Sequence, residues 1–409
     1  MKQSQSRMAR YVVPGLCGLA LLLVIAWFAL RKTPPPAPDL PPIRAITVSP
    51  HAPFFAPDNA EPPEAPTNRV TRSPVIAMNA ALIYGRASAI YDALSQEQKS
   101  LLDNWRTNVD SSVAAELCGK ILPICELMHQ ATVVTNCDWG LGQPITFKTL
   151  LPHLDPCRKL ARAAVWSAAH CRTGDPSALV ADLAATSQLG QNASSSALIG
   201  HMIDLSMQQM VIDSVAEHAS VLATAGDPRL GEFLNGASYD EALRRALEQE
   251  ANILGETADR LAALPPEEAA RELTMGNDSA QISSTGLAQY IAQMRQAAEL
   301  QAQYAKASEL TDAQYQAWLT NLDEAAKTNP IVAMFVSSLG LATDKTQAMK
   351  IRSAMAAAGL AVMQNGTDAL QSHPDPTTGQ PFAYRQTPNG FELESTFQVA
   401  QKPLSLSFK

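Results

Sequence analysis

Lysine and arginine are sparse and scattered. Thirty-one of them stand against 39 acidic residues, a formal charge of -8, and no basic cluster offers a face to phosphate. Nucleic-acid binding is set aside on that ground. Catalytic signatures are missing as well: there is no Gly-x-Ser-x-Gly elbow, no Ser-x-x-Lys pair, no His-Glu-x-x-His and no Gly-rich phosphate loop. No catalytic residue and no cofactor is therefore assigned from motif. Cys-x-x-Cys is also absent, and the histidines nearest the cysteines, His129, His153 and His170, stand at irregular spacings, so no metal site is expected. What the chain has in quantity is apolar side chain. At 46% hydrophobic over 409 residues, it can fill one large core or two ordinary ones.

The longest apolar stretch comes first. Residues 11–30 carry no charge and are dominated by Leu, Val, Ile and Ala; as a helix rising about 1.5 Å per residue they span roughly 30 Å, the hydrocarbon thickness of a bilayer. Lys2, Arg7 and Arg10 precede the run and Arg31 and Lys32 follow it. This small bias points residues 1–10 to the cytoplasm and the rest of the chain outward, across a bacterial inner membrane. No small-x-small cleavage site follows the run, and Cys17 lies inside it rather than after it, so an uncleaved anchor is expected in place of a signal peptide or lipoprotein leader. Residues 31–73 are rich in Pro, including Pro34, Pro35 and Pro36, and read as an extended spacer that gives the outer part reach.

Beyond the spacer, 74–366 reads as a multi-helix body. Ser73-Pro74 writes a helix start, with Ile76, Ala80, Ile83, Ala87 and Ile90 recurring after it. Ser95 and Gln98 form a capping-box pattern before Leu101, Leu102 and Trp105. Further helices are expected over 111–133, 156–172, 176–190, 195–224, 238–263, 285–308, 311–328 and 344–365. Leu243, Leu247, Leu254, Ala258 and Leu261 make one apolar stripe, and Leu287, Ile291, Met294 and Ala298 make a second. These two helices are expected to pair across a loop containing Pro265 and Pro266. Over 158–190, two helices flank a Gly174-Asp175-Pro176 turn and resemble one unit of a tetratricopeptide-type repeat; a single unit implies a local hairpin, not a solenoid.

After Asn365-Gly366 the period changes. Phe382 and Tyr384 alternate with polar residues, Pro388-Asn389-Gly390 supplies a tight turn, and Phe391, Leu393 and Phe397 resume the alternation. Leu404, Leu406 and Phe408 offer a third strand. The fold class expected is thus mainly α: an N-terminal transmembrane helix, a Pro-rich linker, a multi-helix body, and over 367–409 a small antiparallel hairpin or three-stranded sheet packed on the helices. The run Asp375-Pro376-Thr377-Thr378-Gly379-Gln380-Pro381-Phe382, with Tyr384 and Gly390-Phe391, resembles the C-terminal hairpin of uncharacterised bacterial membrane-anchored proteins and, more distantly, pseudopilin C-termini. Cys137-Asp138-Trp139-Gly140, followed by the helix through Arg158-Lys159-Leu160-Ala161-Arg162, resembles the same group. The resemblance implies single-pass membrane anchoring and no particular activity.

Cys118, Cys125, Cys137, Cys157 and Cys171 all follow the anchor, on the side where disulfides persist. If Cys118 and Cys125 share one helix, they stand seven residues apart, about 10 Å along its axis and beyond the disulfide reach of about 7 Å. They are then expected to pair with later cysteines, unless Pro123 bends that helix. An antiparallel helix pair allows Cys125 with Cys157, or Cys118 with Cys171, and leaves Cys137 free. Cys137 beside Trp139, with His170, forms the candidate pocket. His201 and His218 lie on or beside the apolar face of the 195–224 helix; about 25 Å apart along it, they cannot share an ion and read as core histidines.

The function that these features support is a non-enzymatic cell-envelope scaffold or interaction protein, tied to the membrane through residues 11–30 and working with envelope partners. The alternatives are an extracytoplasmic hydrolase whose site only tertiary structure assembles, and a ligand-binding module acting with a membrane partner. A receptor acting alone is disfavoured, since only about ten residues precede the anchor, too few for an effector domain.

Overall fold

Asn79 opens the helical body in a computed structural model of the chain, which describes residues 78–141, 151–172, 174–194, 197–235, 238–273, 284–306, 312–399 and 401–409. Its Oδ1 accepts from the N–H of Ala81 at 3.0 Å and from that of Asp138 at 2.9 Å, while its amide donates to the Asp138 carbonyl at 2.7 Å. One side chain thereby caps α1 (Ala80–Asp92) and pins the Asp138 segment beside it. The helix start expected at Ser73–Pro74 lies outside the described residues, as do the 11–30 anchor and the 31–73 spacer. Among the described residues no helix is long and apolar enough to cross a membrane.

The capping box expected at Ser95 is made in full and opens α2 (Gln96–Asp103): Gln98 N–H donates to Ser95 Oγ at 3.2 Å and Ser95 N–H donates to Gln98 Oε1 at 3.1 Å. Three longer helices follow, α3 (Ser111–Thr132), α4 (Leu154–His170) and α5 (Pro176–Ala193). Asp175 Oδ1 accepts from Ala178 N–H at 3.0 Å and starts α5 with Pro176 at its first position, where a missing N–H costs nothing. Trp166, Leu160, Leu179, Leu183 and Leu189 are fully buried where these helices meet, each aliphatic side chain contributing roughly 1.5–3 kcal/mol.

The single helix expected over 195–224 is two: α6 (Leu198–Glu217) and α7 (Ala219–Ala225), broken at His218. His218 Nδ1 donates back to the Ser214 carbonyl at 2.9 Å, and its backbone leaves helical geometry at φ -110° and ψ 22°. Two short helices, α8 (Pro228–Asn235) and α10 (Pro266–Leu273), stand where only loop was expected; each begins with Pro. Between them runs α9 (Tyr239–Ala263), which packs against α11 (Ser284–Ala305) as the two stripes required. Then come α12 (Asp312–Thr328) and α13 (Pro330–Asn365). The latter starts well before residue 344 because Asn329 Oδ1 accepts from the N–H groups of Ile331 at 2.9 Å and Val332 at 3.2 Å, with Pro330 at the first position.

At 36 residues, α13 is about 54 Å long and belongs to two cores. Its second half, through Ile351, Met355 and Ala358, enters the large core built by α1–α8 and the sheet. Its first half, through Val332, Phe335 and Leu339, joins a smaller core with α9, α11 and α12. A 3-10 turn (Thr367–Ser372) then leads into β1 (Ala383–Thr387), β2 (Gly390–Val399) and β3 (Lys402–Phe408), an antiparallel meander. Thr387 pairs with Gly390 across a two-residue turn, and Phe391 pairs with Phe408. The chain is thus mainly helical with a small C-terminal three-stranded sheet, whose buried face of Phe391, Leu393, Leu404, Leu406 and Phe408 completes the large core.

Candidate functional site

A cleft of about 660 Å³ opens between α5, α6 and α9, within the size range of sites that hold drug-sized ligands. Its walls are unusually polar for such a volume: Gln188 and Gln191 come from α5, Asp204 and Gln208 from α6, and Gln249 and Asn252 from α9. Ser187 and Gln208 lock two of these walls together. Ser187 Oγ donates to Gln208 Oε1 at 3.0 Å, and Gln208 Nε2 donates to the Ser187 carbonyl at 3.1 Å and to Asp204 Oδ1 at 2.9 Å. Such close approach needs Gly190 on α5, since a Cβ there would collide with Asp204 Oδ1 and sit 3.2 Å from Gln208 Nε2. The floor of the cleft is fixed by these contacts and does not depend on a ligand to form.

Asp204 is the exceptional group. Its side chain is a cleft wall, yet the residue is only 4% exposed, and burial, opposed only by the Gln208 hydrogen bond, pushes its carboxyl up to about 6. The other charges lining the cleft are paired with neighbours: Glu248 with Arg244, and Arg245 with Glu241 at 3.6 Å. Among the described residues Asp204 has an amide donor and no cation. Tyr239, buried behind the opening of α9, is hydrogen-bonded to Ser353 and pushed up to about 12 by its burial.

The residues singled out from sequence are placed differently. Trp139 stacks on Tyr84 with centroids 5.8 Å apart and on His153 at 4.7 Å, and its Nε1 donates to the Asn192 carbonyl at 2.9 Å. It therefore props the end of α5 from behind the cleft, since Asn192 also lines the opening. Cys137 packs half-buried nearby, its thiol pushed by burial up to about 11, which leaves it a poor nucleophile. His170 does not join them. It stacks on Trp166 at 4.4 Å and its Nε2 donates to the Trp105 carbonyl at 3.0 Å. His153 and His170 sit at opposite ends of α4, about 25 Å apart, so Cys137, Trp139 and His170 do not share a pocket.

Of the cysteines, Cys118 and Cys171 are bridged, their Cα atoms 5.7 Å apart. Cys125 and Cys157 do not form the alternative pair; both are buried free thiols, and burial raises both. Beside Cys125 lies a buried charge network. Asp182 Oδ1 accepts from His129 Nε2 at 2.8 Å, and its Oδ2 accepts from Ser167 Oγ at 2.8 Å and Arg172 Nε at 3.1 Å. The Ser167 proton points at the carboxylate rather than at the imidazole, so the set lacks the serine-to-base relay of a hydrolase. His201 is buried and bonded to Thr346 Oγ1 at 3.0 Å, a core histidine as expected from its face. No group of three or more His, Cys, Asp and Glu among the described residues has the arrangement to hold a metal ion.

The cleft itself leaves a trace in the sequence. His201, Asp204 and Gln208 recur at helical spacing on α6 and are buried, a polar stripe that a search for apolar faces passes over. No protein-family model matches the chain, and no curated protein and no solved structure matches it either.

Proposed function

We propose that this is a non-enzymatic, ligand-binding protein of the cell envelope. In this reading residues 11–30 anchor it in a bacterial inner membrane, the Pro-rich 31–73 stretch gives it reach, and the helical body recognises a small polar molecule on behalf of an envelope partner. The observation that carries the binding reading is the cleft between α5, α6 and α9, with amide walls and the buried carboxylate of Asp204. A buried carboxylate without a cation costs stability, and a binding site is where such a cost is tolerated. The Cys118–Cys171 bridge supports an oxidising compartment for the body.

The test is a polar-fragment screen by saturation-transfer NMR on the full chain in detergent micelles, with Ala242→Trp as the cleft-filled control, since Ala242 lines the α9 wall. Fragments that bind the wild type and lose their signal with Ala242→Trp support the reading; a screen in which no hit depends on Ala242 overturns it. A reporter phosphatase fused after residue 73 should be active only outside the cytoplasm, and activity lost at that junction would reverse the orientation.

A further inference from the structure

Asp204 specifies more than polarity. The residue is only 4% exposed, and among the described residues its carboxylate accepts from one neutral amide, Gln208 at 2.9 Å on Oδ1. The second carboxylate oxygen accepts from no group among the described residues. With its carboxyl at about 6, Asp204 is ionised at neutral pH. A largely buried carboxylate that faces a cleft gains most from a cationic hydrogen-bond donor entering that cleft.

The surrounding walls decide which cation. Gln191 on α5 and Gln249 and Asn252 on α9 line the same cleft with neutral amides, each of which has a carbonyl oxygen able to accept. A primary ammonium carries three N–H donors on a compact charge, so one can meet Asp204 while the other two meet amide oxygens. A bare divalent ion would find one carboxylate free of a cation here, since Glu248 is paired with Arg244, and no group of three ionisable ligands is gathered among the described residues. The cleft of some 660 Å³, whose other charged walls Glu248 and Arg245 are paired with Arg244 and Glu241, has room for a hydroxyl- or amide-rich body.

We propose that the cleft binds a polar small molecule through its primary ammonium group, which Asp204 receives, a chemistry shared by short peptides with a free N-terminus and by amino sugars. This proposal rests on the reading of the cleft as the binding site.

Two matched pairs of probes separate the questions: trialanine against N-acetyl-trialanine, and glucosamine against N-acetylglucosamine. Binding to the full chain would be measured by saturation-transfer NMR titration at pH 7.5, for the wild type, Asp204→Asn, Glu116→Gln and Ala242→Trp. The expected result is that at least one free amine binds at least tenfold tighter than its acetylated partner. That preference should vanish in Asp204→Asn, persist within twofold in Glu116→Gln, an exposed α3 carboxylate outside the cleft, and be lost with all cleft binding in Ala242→Trp. Trialanine as the binder identifies the peptide source and glucosamine the sugar source. Asp204→Asn keeps the side-chain shape and the Gln208 acceptor, and acetylation leaves the protein untouched, so a misfolded variant cannot imitate the result. If acetylated probes bind in the cleft as well as their amines, the ammonium proposal fails and the cleft reading stands. If none of the four gives a signal that Ala242→Trp removes, both fail.

Discussion

Asp182 Oδ1 lies 2.8 Å from His129 Nε2 and joins the third helix to the fifth through a carboxylate with no solvent exposure. The same carboxylate receives Ser167 from α4 and Arg172 just beyond it, so three segments share one anion. Removing the anion strands a guanidinium whose side chain is only 17% exposed. Asp182→Ala should therefore cost about 3 kcal/mol, the usual range for breaking a buried pair from one side. The check is the urea midpoint at constant m-value. A loss below about 1 kcal/mol would mean that Arg172 finds water and that the network contributes little.

The cysteine map gives a chemical test of the same region. Cys118 and Cys171 are 53 residues apart in sequence, and closing a loop of that length removes about 4 kcal/mol worth of unfolded-state entropy in the chain-entropy model. Cys171→Ala should lower stability by roughly 3–4 kcal/mol. Under non-reducing conditions, peptide mapping should find this bridge and free thiols at Cys125, Cys137 and Cys157. Cys137, half-buried and raised to about 11, should alkylate slowly at pH 7 and faster as pH rises, ahead of the other two. A Cys125–Cys157 bridge in the map would contradict the packing of α3 against α4.

Much of this architecture is written locally, and the exceptions share a cause. The capping box at Ser95, the turn at Pro388-Asn389 and the α9 and α11 stripes are short-range patterns, and each forms as read. Prolines are where the reading fails. Pro228, Pro266 and Pro330 begin helices because the first helical position needs no N–H donor, whereas taken as punctuation they erase α8 and α10 and shorten α13. The site was hidden for another reason. Trp139, Cys137 and His170 attract attention one by one, but only tertiary packing sets His153 between Trp139 and α4 and leaves His170 at the far end. Asp204 shows itself only when α5 brings Gly190 against it.

The sheet is docked through one glycine. The Phe408 ring lies directly over Gly359 on α13, where an added Cβ would overlap ring carbons Cε1 and Cζ, and it also stacks on Phe391 at 4.9 Å. Gly359→Ala gains about 1 kcal/mol of helix propensity but forces this ring away, at a cost of roughly 1–3 kcal/mol. The expected outcome is a less stable protein in which β3 amides exchange faster than those of α13. Adding Phe408→Leu should recover part of the loss, because the smaller side chain clears the new methyl. Equal protection of β3 in wild type and Gly359→Ala would show that the sheet does not hang on this contact.

Two buried groups on α6 give opposing pH dependence. Burial drives His201 down to about 4 from an ordinary 6.5, and drives Asp204 up to about 6 from 3.8. Between pH 6.5 and 4 the unfolded chain protonates His201 while the native state does not, so the His201 contribution to stability is lost as pH falls across that window. Between pH 3.8 and 6 the native state holds a proton on Asp204 that the unfolded chain has released, so the Asp204 contribution is lost as pH rises. Each shift corresponds to about 3 kcal/mol at most, and over pH 4–6 the two slopes offset. Asp204→Asn removes one of them. Relative to wild type, its stability should change little with pH below 3.8, climb through 3.8–6, and level off above 6 with the variant ahead by about 2 kcal/mol at pH 7. Urea denaturation of both proteins at half-unit steps from pH 3.5 to 7.5 gives this difference curve directly, with every other titrating group common to the two. A flat difference would mean that Asp204 ionises as easily in the cleft as in the unfolded chain, and would remove the desolvated anion on which the ammonium site depends.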